Sequence, residues 1–303
     1  MKFLAYLLAY SLTWLLHLLP EFLLYRISDL MFFLGYHVAG YRRKVVMGNL
    51  KNAFPEQSAA ERTRLARRFY RHLFDTLLES AVFPFLSVEA ARKRIRYKNP
   101  KVLEDLYKRK PMVMAVCGHY GNWEYYSSLG FSTPYTFLAI YKPLRNRWID
   151  RWFQKNRTRF GARVSPMERI ARDLFQAQKA GEHCLTLLLA DQRPLYKKIQ
   201  YWTTFLNQDT PVFLGSEKLA RKFDAAVVFL HMKKTRRGRY EVECEILCED
   251  PAGRPEHWIT EAHVKRLEAR IREEPAHWLW SHRRWKHSRE RFLSEKEKAG
   301  ENA

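Results

Sequence analysis

The sequence predicts a mixed α/β protein: a mainly parallel sheet flanked by helices, preceded by a hydrophobic amino-terminal membrane anchor. Three observations carry this expectation. Short apolar runs alternate with helical patterns along most of the chain. The 303 residues are 47% hydrophobic, which supports a sizeable core and excludes disorder. Only one stretch of the chain, Phe3–Leu19, is continuously apolar.

Phe3–Leu19 contains no Asp, Glu, Lys or Arg. As a helix it would measure about 25 Å, slightly short of the roughly 30 Å hydrocarbon core. Phe22–Gly40 follows Pro20 and is interrupted by Arg26 and Asp29, which suits an interfacial helix. A signal peptide fits less well, because the apolar region is long and no small-x-small cleavage site follows it. Arg42-Arg43-Lys44 directly after it places the body on the cytoplasmic side. The expected organisation is therefore an anchor and interfacial helix over 1–40, a catalytic body over 41–293, and a solvated tail over 294–303.

Within the body, Ser58-Ala59-Ala60-Glu61 is a capping box that opens a helix running to Phe83. Pro111–Cys117 and Cys184–Ala190 are apolar on every residue but one, as strands buried on both faces are. Thr136–Tyr141 and Ala225–His231 are further strands, and Tyr240–Leu247 alternates like an edge strand. Helical patterns cover Leu144–Phe160, Glu168–Ala180, Ser216–Phe223 and Ile259–Glu273.

Charge narrows the function. The formal net charge is +22, and because Lys2 and Arg26 balance Glu21 and Asp29, all of it lies in residues 41–303. Such a body attracts polyanions: nucleic acid, anionic lipid or an acidic protein. No nucleic-acid module is recognisable, so a membrane-tethered nucleic-acid binder is the weaker alternative. The cysteines Cys117, Cys184, Cys244 and Cys248 form neither a disulfide framework nor a zinc site, and no metal is expected.

The chemistry points to Gly118-His119-Tyr120-Gly121-Asn122-Trp123-Glu124, where the first buried strand ends. Functional residues of open α/β sheets gather outside the carboxyl ends of strands. On one ideal helix His119 and Glu124 would lie about 140° apart. They can meet if His119 stays on the loop and a helix starting near Gly121 turns Glu124 back toward it. A His held by a carboxylate is a competent general base for an alcohol. No nucleophile elbow accompanies it, which favours direct attack by a substrate hydroxyl on an activated acyl group.

GHYGNWE after a hydrophobic strand resembles the H-x4-D/E block of the glycerolipid acyltransferase superfamily, in the form used by the lipid A biosynthesis (lauroyl/myristoyl) acyltransferases. Tyr41–Leu50 with Ala53–Glu56, Tyr141–Leu144 with Asn146, Arg157-Thr158-Arg159, Ala190-Asp191-Gln192 and Leu279–Lys286 resemble further segments of that family in order. Arg193-Pro194 departs from the family's usual Asp and Gly. The resemblance implies a glycerolipid acyltransferase-like fold and a membrane-bound O-acyltransferase of the inner membrane. Its donor would be a thioester on acyl carrier protein and its acceptor a phosphorylated glycolipid, a lipid A precursor, with no cofactor and no nucleic acid involved. Another glycolipid, an aminolipid or a lysophospholipid is the alternative acceptor. It further implies His119 and Glu124 as catalytic residues. Asn122, Lys142, Arg157, Arg159, Asp191 and Gln192 are the implied substrate-binding residues. For Trp278–Lys286, packing is expected rather than catalysis.

Overall fold

The computed structural model describes residues 2–144 and 146–300. The chain opens with the helices α1 (Lys2–His17) and α2 (Glu21–Phe32), a π-helical turn at Phe33–Val38, then α3 (Arg43–Ala53) and α4 (Ala59–Val82). Next come α5 (Val88–Arg94), β1 (Ile95–Tyr97), α6 (Lys101–Tyr107) and β2 (Met112–Cys117). A 3-10 segment at Trp123–Phe131 leads to β3 (Thr136–Tyr141), α7 (Arg147–Thr158), β4 (Arg163–Pro166), α8 (Ile170–Lys179) and β5 (Cys184–Leu189). The remainder is β6 (Tyr201–Phe205), β7 (Gln208–Val212), α9 (Gly215–Lys222), β8 (Ala226–Arg236), β9 (Arg239–Cys248), α10 (Trp258–Glu273) and α11 (Arg289–Gly300).

Seven strands form one sheet in the order β1-β9-β8-β2-β5-β3-β4, parallel throughout except where β8 meets β9. Side-chain alternation along β2 divides the core in two. Met112, Met114 and Val116 pack on one face, and Val113, Ala115 and Cys117 on the other. Both faces are covered by helices, so a run such as MVMAVC is fully buried. The capping box at α4 forms as expected: Glu61 N donates to Ser58 Oγ at 3.2 Å and Ser58 N to Glu61 Oε2 at 2.7 Å.

The expected edge strand, β9, is not an edge. Three-residue β1 pairs outside it, from Ile95↔Tyr240 to Tyr97↔Val242. Its alternation comes from a partly exposed face, with Tyr240, Val242 and Cys244 buried between half-exposed glutamates.

The amino-terminal expectation needs two corrections. Among the described residues no helix is long and apolar enough to cross a membrane. α1 has 16 residues and lies on the body, with Phe3 against Trp148 at 4.9 Å and Tyr10 against Phe85 at 5.5 Å between ring centroids. Its outer side exposes Leu4, Leu8, Leu12 and Leu15. Residue 40 is also not a packing boundary, because Phe32 and Tyr36 belong to the main core. α2 is further tied to α4 by Tyr25 Oη donating to Glu79 (3.1 Å) and Ser28 Oγ to Asp75 (2.7 Å). Deleting residues 1–40 therefore removes core, whereas among the described residues α1 contributes none to that main core. At the other end, residues 294–300 continue α11, with 294–298 exposed, and residues 301–303 lie outside the described residues.

Candidate active site

The site is built where β2 and β5 end side by side. Their register pairs Cys117 with Leu189, and Ala190 N donates to Cys117 O at 2.9 Å. His119 and Asp191 each stand two residues beyond these paired ends, so the two loops carry them to the same place. The strand order supplies the crevice: β2 continues to β8 on one side and to β5 on the other, while β3 lies beyond β5.

His119 Nδ1 lies 2.6 Å from Asp191 Oδ1, and the His119 amide donates to Asp191 Oδ2 at 2.8 Å. Trp278 Nε1 donates to the same Oδ2 at 2.8 Å. Gly118 permits this approach, since a Cβ there would meet Leu267 at 2.8 Å and Asp191 Oδ2 at 3.1 Å. Burial alone would raise the Asp191 carboxyl. The neighbouring His119 and the hydrogen bonds from its ring and amide and from Trp278 outweigh that, and hold it at about 2. An ionised carboxylate only accepts, so the Nδ1 proton points to Asp191 and Nε2 is the ring nitrogen left to take up another. Gln192 Nε2 donates to that nitrogen at 3.0 Å.

The carboxylate on the imidazole is therefore Asp191, not Glu124. Glu124 is the second residue of the 3-10 segment that follows Asn122, and its carboxylate lies 3.5 Å from Arg157 Nη2. Among the described residues the side-chain hydrogen-bond partners of the His119 ring are Asp191 and Gln192. The helix expected to return Glu124 to the ring does begin after Gly121, whose φ of +64° suits glycine, but its 3-10 geometry sets a different direction.

The expected binding residues divide in the same way. Asn122 is fully buried: its amide donates to Glu79 at 2.9 Å and its carbonyl accepts from Ser80 Oγ at 3.1 Å. It fixes the loop and is not among the residues lining the main cavity. Arg159 sits about 200° from Arg157 around α7, bonded to Pro84 O and lying over the Phe160 ring. Arg157 and Lys142 do line the main cavity, Asp191 and Gln192 hold His119, and Asn146 caps α7 by accepting from Trp148 N at 3.1 Å.

That cavity, about 580 Å³, starts at His119, Trp123 and Glu124 and is walled by Phe137, Ala139, Ile140, Leu187, Leu188 and Leu189 of the β3 and β5 strands. α7 adds Phe153 and Arg157, and Phe213, Ser216 and Leu219 come from the start of α9. Its walls are overwhelmingly apolar, with charge gathered at Glu124, Arg157, Lys142, Asp150 and Lys218.

The carboxy-terminal segment braces the catalytic loop. Gly121 N donates to His277 O at 3.0 Å, Leu279 N to His119 O at 3.1 Å, and Tyr120 bridges to Trp278. Asn49 of α3 donates to the carbonyls of Trp280 and His282 from behind. Trp278 thus touches Asp191 directly, a role that the expectation of simple packing missed. Its indole N–H beside a buried carboxylate is visible only once the fold brings residues 87 apart together.

The family model for bacterial lipid A biosynthesis acyltransferase matches residues 2–287, nearly the whole chain, and the chain belongs to that family. No curated protein matches it.

Proposed function

Starting from membership in the bacterial lipid A biosynthesis acyltransferases, we propose that this enzyme moves a fatty acyl chain from an acyl-carrier-protein thioester to a hydroxyl of a lipid A precursor, with His119 as general base oriented by Asp191. The observation that carries the reading is the juxtaposition of the His119 ring, oriented through Nδ1 by Asp191, with an apolar cavity that the same ring lines.

The acyl chain fills the cavity between β3, β5 and α7. The acceptor hydroxyl replaces the Gln192 amide at Nε2 and gives up its proton there as its oxygen attacks the thioester carbonyl. The tetrahedral oxyanion collapses, the carbon–sulfur bond breaks, and the imidazolium returns its proton to the departing thiolate. Gln192, 3.0 Å from Nε2, and Arg157 on the cavity wall are the donors proposed to meet the developing oxyanion. Glu124 acts as a positioning residue for Arg157, in place of the role first expected for it. The thioester itself supplies the activation, so no cofactor enters the reaction.

The membrane attachment is interfacial. α1 exposes leucines outward and presses Phe3 against Trp148 of α7, the helix whose Phe153 and Arg157 wall the cavity. The acceptor then reaches the site from the lipid side, while the +22 charge favours both an acidic carrier and anionic headgroups. Arg42, Arg43 and Lys44 are exposed just beyond the helical pair and suit the cytoplasmic face of the inner membrane.

Incubating the full-length protein with acyl carrier thioester and a lipid A precursor tests the reaction. An ester-linked acyl product is expected, and its absence with folded protein would overturn the reading. Vesicle flotation tests the attachment. Full-length protein should stay on anionic vesicles in about 0.5 M salt, where the Debye length has shrunk to a few ångströms. Protein lacking residues 1–17 should be released, and equal retention of both would remove α1 from the account.

A further inference from the structure

Outside the lining of the apolar cavity, two guanidinium groups close to the His119–Asp191 pair in their electrostatics are held without an anion of their own. Arg284 is 1% exposed, and its Nε and Nη1 have no hydrogen-bond partner. Arg193 Nε and His282 Nε2 are likewise buried and unpartnered. Together these three residues supply four of the twelve such atoms among the described residues. Among the described residues, the hydrogen-bond partner of the Arg193 side chain is His287 Nε2, 2.9 Å from its Nη1. The carboxylate nearest to Arg284 in its electrostatics is Asp191, and both oxygens of Asp191 are already taken by His119 and Trp278.

This arrangement has no evident structural benefit. Burial works against the Arg284 charge and lowers it to about 10, where it is still cationic at neutral pH, and Arg193 repels it further. His282 is pushed down to about 4 by burial, with Arg284, His119 and Arg193 adding to the effect, so it stays neutral. Two neighbouring cations with unpaired N–H groups cost stability unless something arrives to satisfy them. None of the three residues lines the apolar cavity. Arg193 and His282 are partly exposed, with Arg284 behind them.

We infer that Arg193, His282 and Arg284 form a binding site for a phosphoryl group of one of the two substrates, separate from the apolar cavity that takes the acyl chain. Planar guanidiniums match phosphate oxygens two at a time, and His282 adds a neutral ring nitrogen. The assignment rests on the acyl-transfer reading, in which both the acceptor and the phosphopantetheine arm of the donor carry phosphate.

Thermal denaturation of the full-length protein in inorganic phosphate, against sodium chloride at equal ionic strength, reads the site without requiring turnover. Wild type should melt several degrees higher in phosphate, and Arg193→Gln and Arg284→Gln should each lose that gain. In chloride, Arg284→Gln should melt no lower than wild type, because it removes an unpaired buried charge. A shift equal in all three proteins, or none in wild type, would overturn the site, as would a marked loss of stability in Arg284→Gln together with an unchanged shift in Arg193→Gln.

Kinetics then identify the source. Arg193→Gln should raise KM about tenfold with kcat nearly kept. That penalty should vanish either with acceptor lacking its phosphate or with an acyl-pantetheine donor lacking the phosphate. An unchanged KM for every substrate would contradict the proposal. If wild type transfers no acyl group at all, the reaction assignment fails, and the phosphate-dependent melting still decides the site.

Discussion

Replacing His119 with alanine should lower acyl transfer by at least about a hundredfold, and by as much as ~10⁴-fold, the range over which positioned general bases contribute. The loss should fall on kcat, since the ring's task is proton removal and the acyl chain still has its cavity. His119 is on a loop and its backbone amide, not its ring, makes one of the two bonds to Asp191, so the fold should persist. Circular dichroism and melting temperature check that part. Turnover within a few-fold of wild type would remove His119 from the mechanism.

The second large effect is expected at Glu79, which stands behind the catalytic loop. It is fully buried and accepts from Asn122 Nδ2 at 2.9 Å, Tyr240 Oη at 2.8 Å and Tyr25 Oη at 3.1 Å. Through Asn122 it ties the loop to α4, and through Tyr25 it ties α2 to the same point. Glu79→Ala leaves three buried donors unanswered and should cost about 3 kcal/mol or more, by the penalty for orphaned polar groups. Activity should fall as well, because Asn122 lies next to Gly121 at the turn of the loop.

Glu79→Gln separates shape from charge. Burial raises the Glu79 carboxyl above its usual value, only partly offset by Lys234 and by the bonds from Asn122 and Tyr240. A raised acid pKa means that the folded state holds the proton more firmly than the unfolded state. Stability contributed by Glu79 is therefore greatest below the ordinary value of 4.5 and declines as pH rises through the raised one. Glutamine cannot ionise, so its variant should lose less stability than alanine and should lack that decline. Denaturant titrations from pH 4 to 8 read both effects, and identical slopes in wild type and Glu79→Gln would place the pH dependence elsewhere.

Much of this fold can be read in the chain because its strands are short, apolar and buried on both faces. Thr136–Tyr141 is a strand in the bounds expected, and the expected helix over Ile259–Glu273 begins one residue earlier. The β6–β7 hairpin could not be read the same way. Its two-residue turn is Leu206-Asn207, both at positive φ (50° and 62°), where a turn-forming Asn-Gly pair would have signalled it. Leu206 is fully buried and its amide donates to Glu268 at 2.9 Å, so tertiary packing overrides local preference there.

The candidate site divides similarly. His119 and Asp191 were both marked by their places after buried strands. Their pairing depends on β2 and β5 being neighbours in register, although β3 and β4 lie between them in sequence. Sequence proximity favoured Glu124, only five residues away. Spatial order favours Asp191, at a separation of 72 residues.

That choice is the centre of the account, and comparing kcat for Asp191→Asn and Glu124→Gln tests it most directly. Asparagine at 191 cannot hold the proton on Nδ1 in the same way and weakens the support for the imidazolium, so a loss of about 10²- to 10⁴-fold is expected, by analogy with carboxylate–histidine pairs. Glu124→Gln should retain kcat within about tenfold while shifting KM through Arg157. A collapse of kcat in Glu124→Gln with near wild-type turnover in Asp191→Asn would contradict the account.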